Sequence, residues 1–300
     1  MSAIWKAGAN YPNYDKIHTP NGSSGSSLSA GFCCGGYDGS NYLVTTYLYN
    51  SVSWTSSGNM SVQRRAGGAF GTTSAAAVTA GGNSSSSRLA TTEEFDGSSW
   101  SSGGSLADGR SNTLSAAGSL LAGMLCGGGT TSIPYTQDTF EYDGTAWASG
   151  GNLAAGRQLH GTCGSQTAGL AFGGYPENTK NIYTSSEEYN GTSWASGGSL
   201  ATAKYNLQAA GTQISGLCIG GTISSTTDET EEYNGSSWTA GGKLLTARVS
   251  AGSGGSIGDA WITGGVNAIG LGIVSTEHYV FVFFINPNLF KRKFQHMLVR

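Results

Sequence analysis

The chain has 300 residues, of which 49 are glycine and only 11% are charged, and its net charge is −3. That length suffices for one large domain or two ordinary ones, and the charge balance gives no sign of a nucleic-acid-binding protein. No apolar run approaches the ~20 residues that a membrane-spanning helix needs, so we expect no membrane span.

Six tryptophans recur along the chain at intervals of 44 to 49 residues. They are Trp5, Trp54, Trp100, Trp147, Trp194 and Trp238. A period in this range is typical of repeat architectures such as propellers and solenoids. Because the glycines keep the same register as the tryptophans, we interpret the high glycine content as turns rather than disorder.

An aromatic residue lies five positions before each of the last five tryptophans: Tyr49, Phe95, Tyr142, Tyr189 and Tyr233. In four repeats an Asp-Gly or Asn-Gly pair stands between the two rings, as at Asp143-Gly144. These pairs favour a two-residue hairpin turn of type I′, which needs positive φ at both central residues. We therefore predict that the aromatic residue ends one strand and the tryptophan begins the next.

A cation follows each of these five tryptophans by ten positions: Arg64, Arg110, Arg157, Lys204 and Arg248. A strand of small residues and a short apolar strand that ends in Gly-Gly come next, as at Gly81-Gly82. Each repeat thus predicts four short strands. Strand a follows the cation, strand b precedes Gly-Gly, strand c ends at the aromatic residue and strand d begins at the tryptophan.

The first repeat begins at a d strand with Trp5, and the last complete repeat ends at a c strand with Tyr279. Four-stranded sheets can bury both faces by packing radially around an axis. We predict an all-β fold, a six-bladed β-propeller of four-stranded blades over residues 1–280. Its N-terminal strand is expected to complete the last blade, which is built from about 246–279.

The spacing of Gly-Gly, tyrosine and tryptophan resembles the kelch repeat over about residues 1–280. Units such as Glu187-Glu188-Tyr189-Asn190-Gly191-Thr192-Ser193-Trp194 look most like the Gly/Ser/Thr-rich kelch-like proteins of phages and environmental viruses. The resemblance implies a binding or structural role. Many kelch proteins are intracellular protein-interaction modules, whereas the galactose-oxidase branch of the fold consists of copper enzymes.

A glutamate also recurs beside the aromatic residue of strand c: Glu94, Glu141, Glu188 and Glu232. Each cation begins the blade after the one that holds the preceding glutamate. We therefore predict a ring of cation–carboxylate pairs that joins neighbouring blades. Repetition in every blade favours a structural role over a catalytic one.

Catalysis finds little support in the sequence. The four histidines occupy unrelated repeat positions and form no His-x-x-x-His or His-x-Glu pair. The five cysteines have no spacing that predicts a disulfide framework, and we interpret them as small buried residues. A copper site of the galactose-oxidase type cannot be placed. We expect no enzyme activity, no metal and no cofactor.

The loops between strands b and c differ most between repeats: 37–44, 83–90, 129–137, 175–184, 222–229 and 266–274. We predict that they emerge on one face, near the connections between blades. Together with the first connection they supply the candidate ligand-binding residues Tyr11, Tyr14, Tyr37, Tyr42, Tyr135, Tyr175 and Tyr183. Tyrosine among Ser, Asn and Gly gives rigid contact area with adaptable hydrogen bonding, and its ring can stack on sugars.

Residues 281–300 share nothing with the repeat and combine an apolar run with four cations. This tail is predicted to pack outside the propeller, or else to anchor the protein to a neighbour or to a second copy. The N-terminus does not have the pattern of a secretory signal peptide, so we expect none.

Two functions remain open from the sequence. The first is a non-enzymatic binding or structural propeller of a virus particle, such as a tail or appendage component that touches host-surface glycans. The alternative is an intracellular protein-interaction module of kelch type. The first places the protein on a virion or extracellular surface, and the second in the cytoplasm.

Overall fold

A computed structural model describes residues 2–12, 22–24, 27–113, 116–176 and 181–282. Within these residues the fold is all-β, with no α-helix and a single short 3₁₀ turn at Leu28–Ala30. Six four-stranded antiparallel sheets form the blades of a β-propeller, which confirms the predicted fold class. The a strands of neighbouring blades contact each other around the whole ring, so strand a lies next to the axis.

The blades are numbered here in chain order, with their strands given from a to d. Blade 1 contains Gly22–Ser24, Gly31–Tyr37, Tyr42–Tyr49 and Trp54–Ser57. Blade 2 contains Gly68–Thr73, Ala76–Ala80, Thr92–Phe95 and Trp100–Ser102. Blade 3 contains Ala117–Ser119, Ala122–Cys126, Thr139–Tyr142 and Trp147–Ser149.

Blade 4 contains Gly161–Ser165, Ala168–Phe172, Ser186–Tyr189 and Trp194–Ser196. Blade 5 contains Gln208–Thr212, Ser215–Ile219, Thr230–Tyr233 and Trp238–Ala240. Blade 6 contains Gly252–Gly254, Asp259–Thr263, Thr276–Val282 and Ser2–Ala7. A two-stranded ribbon, Arg110–Ser111 with Gly129–Thr130, adds to blade 3.

Blade 6 takes its outer strand from the N-terminus, as the sequence predicted. Ser2–Ala7 pairs antiparallel with Thr276–Val282, and Trp5 lies directly opposite Tyr279. The first and last segments of the chain therefore share one sheet and close the ring. Strand c of this blade continues two residues into the predicted tail. Residues 283–300 lie outside the described residues.

The turn between strands c and d follows the predicted positions but not the predicted type. Tyr142 and Trp147 pair across it, so four residues form the connection instead of two. Only Gly144 has positive φ, and Asp143 Oδ1 accepts hydrogen bonds from the backbone N–H groups of Thr145 and Ala146. The type I′ prediction is wrong because the Asp or Asn side chain itself closes a wider turn.

Each of the six repeat tryptophans lies on strand d, and its indole donates a hydrogen bond to the blade before it. The indole N–H of Trp147 donates to the Thr92 hydroxyl at 2.8 Å, and that of Trp194 donates to Thr139 at 2.9 Å. The same contact recurs around the ring in Trp5–Thr230, Trp54–Thr276, Trp100–Thr46 and Trp238–Ser186. A buried indole needs an acceptor, so every blade is oriented by its neighbour.

The buried cations join the same interfaces, but their predicted partners are wrong. Arg64 pairs with Glu93 at 2.8 Å, whereas Glu94, the predicted partner of Arg110, forms no ion pair among the described residues. The other pairs are Arg157–Glu187 (2.5 Å), Lys204–Glu231 (2.8 Å), Arg248–Glu277 (2.5 Å) and Arg110–Asp138 (3.3 Å). In each case the carboxylate belongs to the blade that follows the cation.

Arg64 shows how one cation holds two blades. Its carbonyl accepts a hydrogen bond from Gly36 of blade 1. Its guanidinium donates to the carbonyls of Gly81 and Thr91 and to the Glu93 carboxylate, all in blade 2. The side chain is fully buried, so these acceptors replace the water that it loses.

The glutamates predicted to pair with cations join blades in a different way. Each accepts a hydrogen bond from the tyrosine that ends strand c of the next blade. The pairs are Tyr142–Glu94, Tyr189–Glu141, Tyr233–Glu188 and Tyr279–Glu232. In the Tyr189 pair the hydroxyl also accepts from Gly151 N–H, and a Cβ on the adjacent Gly150 would lie 2.6 Å from this oxygen.

The two remaining interfaces change both partners together. Blade 2 has Phe95, which cannot donate, and Leu48 of blade 1 stands where a glutamate would be and packs against the same core cluster. Between blades 6 and 1, His278 replaces the glutamate and its Nε2 lies 2.6 Å from the Tyr49 hydroxyl. The tyrosine–glutamate contact is therefore replaced by an apolar pair between blades 1 and 2 and by a neutral polar pair between blades 6 and 1.

We predict a graded loss of stability when the cations are removed. Arg248→Ala should lower the free energy of unfolding by about 3–5 kcal/mol, because Glu277 is 1% exposed and is left uncompensated. Arg110→Ala should cost less, since Asp138 is 43% exposed and can be hydrated. Lys243→Ala, in the surface pair with Asp228, is the control and should change stability by less than about 1 kcal/mol. Urea denaturation measures all three, and equal losses for Arg248 and Lys243 would contradict the account.

The tyrosine–glutamate pairs between blades predict that the folded protein loses stability at alkaline pH. Burial, and next the hydrogen bond to Glu141, raises the pKa of Tyr189 from 10.0 to about 12. The unfolded chain ionises first, so this tyrosine's contribution is fully present below pH ~10 and is lost as the pH rises towards 12. The urea midpoint should therefore fall over this range, and less steeply in Tyr189→Phe. Tyr135→Phe, outside the ring of interblade bonds, is the matched control and should follow the parent protein.

Candidate functional site

The six variable loops and the connections between blades share one face, as predicted. Each connection runs beside the b–c loop of the blade that it enters, through bridges such as Arg65 with Asn83 and Tyr205 with Thr222. We call this surface the loop face and define it by the six b–c loops given above. Residues 177–180 of the fourth loop lie outside the described residues.

The first depression on the loop face lies across blades 1 to 3 and has a volume of about 420 Å³. It is lined by Tyr42, Asn83, Ser84, Ser86, Ser87, Arg88 and Thr131. The lining offers one aromatic ring, several hydroxyls and one guanidinium. It is open to solvent, so it suits a ligand that lies on the surface.

The second depression has a volume of about 290 Å³ and is lined by Ile133, Tyr135, Thr136, Gln137, Asp138 and Gly156. The third b–c loop separates the two depressions, because Thr131 lines the first and Tyr135 the second. An aromatic ring, an amide and a carboxylate meet here. The two depressions lie on either side of this loop, and together we call them the candidate site.

Three further predicted tyrosines lie around the candidate site. Tyr37 packs edge-on against Tyr42, with ring centroids 5.5 Å apart. Tyr183 lies over the Arg157 guanidinium, and its hydroxyl donates to the carbonyl of Gly156, which lines the second depression. Tyr175 packs against Tyr205 at 5.0 Å.

The prediction that Tyr11 is an exposed ligand-binding residue is wrong. It is 2% exposed, and its ring packs edge-on against Trp54 at 4.9 Å. Its backbone N–H donates to the carbonyl of Val274 in blade 6, so the residue holds the closing seam of the ring. Tyr14 lies outside the described residues.

Sequence reasoning missed two arginines at the first depression. Arg65 directly follows Arg64, the first cation of the repeat, and its guanidinium lies 4.8 Å from the Tyr37 ring centroid and 5.1 Å from that of Tyr42. Arg88 follows a run of four serines in the second b–c loop, and a cation in an otherwise uncharged loop is the signal that could have found it.

Cys126 and His160 lie in contact in blades 3 and 4, with Sγ and Nε2 3.5 Å apart. Both are fully buried. Burial raises the pKa of Cys126 to about 11 and lowers that of His160 to about 3. Both groups are therefore neutral at pH 7, whereas a cysteine nucleophile reacts as its thiolate.

A search of the described residues finds no group of three or more His, Cys, Asp or Glu side chains placed to hold a metal ion. Within the same residues, no helix is long and apolar enough to cross a membrane. Comparison with models of known protein families finds no match, and comparison with curated proteins finds none.

Proposed function

We propose that this propeller is a non-enzymatic binding protein of kelch type that recognises saccharides on its loop face. The observation that carries the proposal is the candidate site. Its two open depressions combine the Tyr42 and Tyr135 rings with serine hydroxyls and the Gln137 amide. Sugars present apolar ring faces and many hydroxyls, which such surfaces match.

The scaffold suits this role because it fixes the positions of the loops. The Trp147 and Trp194 indoles, the buried cations and the tyrosine–glutamate pairs tie every described blade to its neighbours. Loops on a rigid scaffold can differ in sequence without loss of the fold, and binding residues concentrate in such loops.

The kelch-like repeat style, the low charge and the apolar, basic segment 281–300 favour a phage virion protein, as a tail or appendage component. In this proposal the tail segment attaches the propeller to another virion protein or to a second copy. The proposed location is the virion or an extracellular surface. Mass spectrometry of purified particles tests it, since a protein of the infected cytoplasm alone would be absent from them.

A protein partner is the second candidate, and one observation favours it. Ile269 is 78% exposed and Leu271 is 58% exposed, both on the b–c loop of blade 6. Exposed apolar side chains on a binding face are typical of protein interfaces. This function would use the loop of blade 6, outside the two depressions of the candidate site.

A glycan array separates the two candidates. We expect the full-length protein to bind a defined set of glycans. Tyr42→Ala and Tyr135→Ala should each weaken this binding by about threefold to tenfold, because an aromatic contact contributes roughly 0.5–1.5 kcal/mol. The two variants report on the two depressions separately.

The matched control is Leu121→Ala, which removes a 70% exposed side chain at the a–b turn of blade 3, at the opposite end from the loop face. It should bind glycans as the parent does. Binding of no glycan by a folded protein, or equal binding by both tyrosine variants and the parent, would overturn the saccharide proposal.

A further inference from the structure

Three residues form a row at the edge of the first depression: Asn83 and Arg88 line it, and Arg65 lies against its Tyr42 ring. Antiparallel bridges place Asn83 directly opposite Arg65 on one side and directly opposite Arg88 on the other. Residues opposite each other in antiparallel strands point to the same face, with their Cβ atoms about 4.5–5.5 Å apart. The two arginine side chains therefore leave the loop face on the same side, with Asn83 between them.

Neither arginine has an anionic partner among the described residues. Each of the five cations of the repeat forms an ion pair with a carboxylate. No described carboxylate lies within 4 Å of the guanidinium of Arg65 or Arg88, and neither side chain donates a hydrogen bond to a described residue. The first depression therefore has one positive charge without an anionic partner in its lining, Arg88, and a second beside its Tyr42 ring, Arg65, on a chain whose net charge is −3.

Both guanidiniums have N–H groups that bond to no described residue. Arg65 lies over the rings of Tyr37 and Tyr42, and this stacking leaves the N–H groups at its planar edge free to donate. Nη1 of Arg88 is buried and has no hydrogen-bond partner among the described residues. A buried donor without an acceptor is unfavourable, so a ligand oxygen at this position would relieve it.

The rest of the lining narrows the class of ligand. A carboxylate is the planar acceptor that a guanidinium binds through two parallel hydrogen bonds. The hydroxyls of Ser84, Ser86 and Ser87 can bond to ligand hydroxyls, and the Tyr42 ring offers a flat apolar surface. A simple inorganic anion would use the arginines alone, whereas a sugar acid would use all three features.

We propose that the first depression binds an acidic saccharide, a sugar unit with a carboxylate such as a sialic acid or a uronic acid. Arg65 and Arg88 hold the carboxylate, the serines bond to the hydroxyls and Tyr42 stacks on the ring. The second depression contains Asp138 and no unpaired arginine, so it suits a neutral unit of the same chain. This inference rests on the proposed saccharide function and names the ligand class for its first depression.

Isothermal titration of the full-length protein tests the inference with two matched pairs of probes. Sialyllactose is compared with lactose, and glucuronic acid with glucose. The acidic member of at least one pair should bind at least about tenfold more tightly at low salt, and added salt should weaken its binding because the charges are near the surface.

Arg65→Gln and Arg88→Gln should each lower the affinity for the acidic probe by about tenfold or more. Lys243→Gln removes the same charge from an exposed side chain outside both depressions and should leave binding unchanged. All three variants should keep the parent melting temperature, because none of these side chains is part of the buried ion-pair ring.

The outcomes separate this inference from the proposed function. Equal binding of acidic and neutral probes, unaffected by the arginine variants, overturns the acidic-saccharide inference and leaves the saccharide function standing. Arginine-dependent binding of a poly-glutamate peptide, tighter than any of the sugars, overturns the inference in favour of an acidic protein partner. Binding of no probe and of no glycan on the array overturns both.

Discussion

The fold depends on the polar contact that each blade makes with the blade before it. A tryptophan at the start of strand d donates its indole N–H to a hydroxyl on strand c of the neighbour, and this contact occurs at all six interfaces. A four-stranded sheet of small residues buries little apolar surface by itself. The paired cations and tyrosines add directional bonds at the same interfaces, so the angle between blades is fixed by groups that cannot be left unpaired.

This constraint explains where function can reside. The cation, tyrosine, glutamate and tryptophan positions are used to hold the ring and are buried or paired. The b–c loops carry none of them and differ in every blade. Arg65 lies next to Arg64 in the connection that enters blade 2, Arg88 lies in the b–c loop of the same blade, and neither has a carboxylate partner among the described residues. The first depression therefore consists of residues that the ring does not require, whereas the second shares Asp138 with the Arg110 ion pair.

Much of the fold could be predicted from the sequence, because the spacing of the repeated residues indicates where the strands and hairpins lie. The interval of five residues between Tyr142 and Trp147 places both at a hairpin, and the start of the chain at Trp5 shows which strand is missing from the last blade. The ion-pair partners could not be predicted in this way. Glu93 and Glu94 are neighbours on a strand and so point to opposite faces, and spacing does not show which face meets the cation. The burial of Tyr11 could not be predicted, because it lies in a long connection whose residues do not follow the spacing of the repeat. Arg65 lies in a connection between blades, whereas Asn83 and Arg88 lie in a b–c loop. Only the backbone bridges in the structure show that the three residues are neighbours.

Indole hydrogen exchange, followed by NMR in tryptophan-labelled protein, tests the closed ring most directly. The Trp5 indole donates to Thr230, 225 residues away in sequence, at the seam where the N-terminal strand completes blade 6. The account predicts that the Trp5 indole N–H is protected to a similar degree as those of Trp147 and Trp194, inside the continuous part of the ring. Rapid exchange at Trp5 beside slow exchange at the other two would contradict closure by the N-terminal strand.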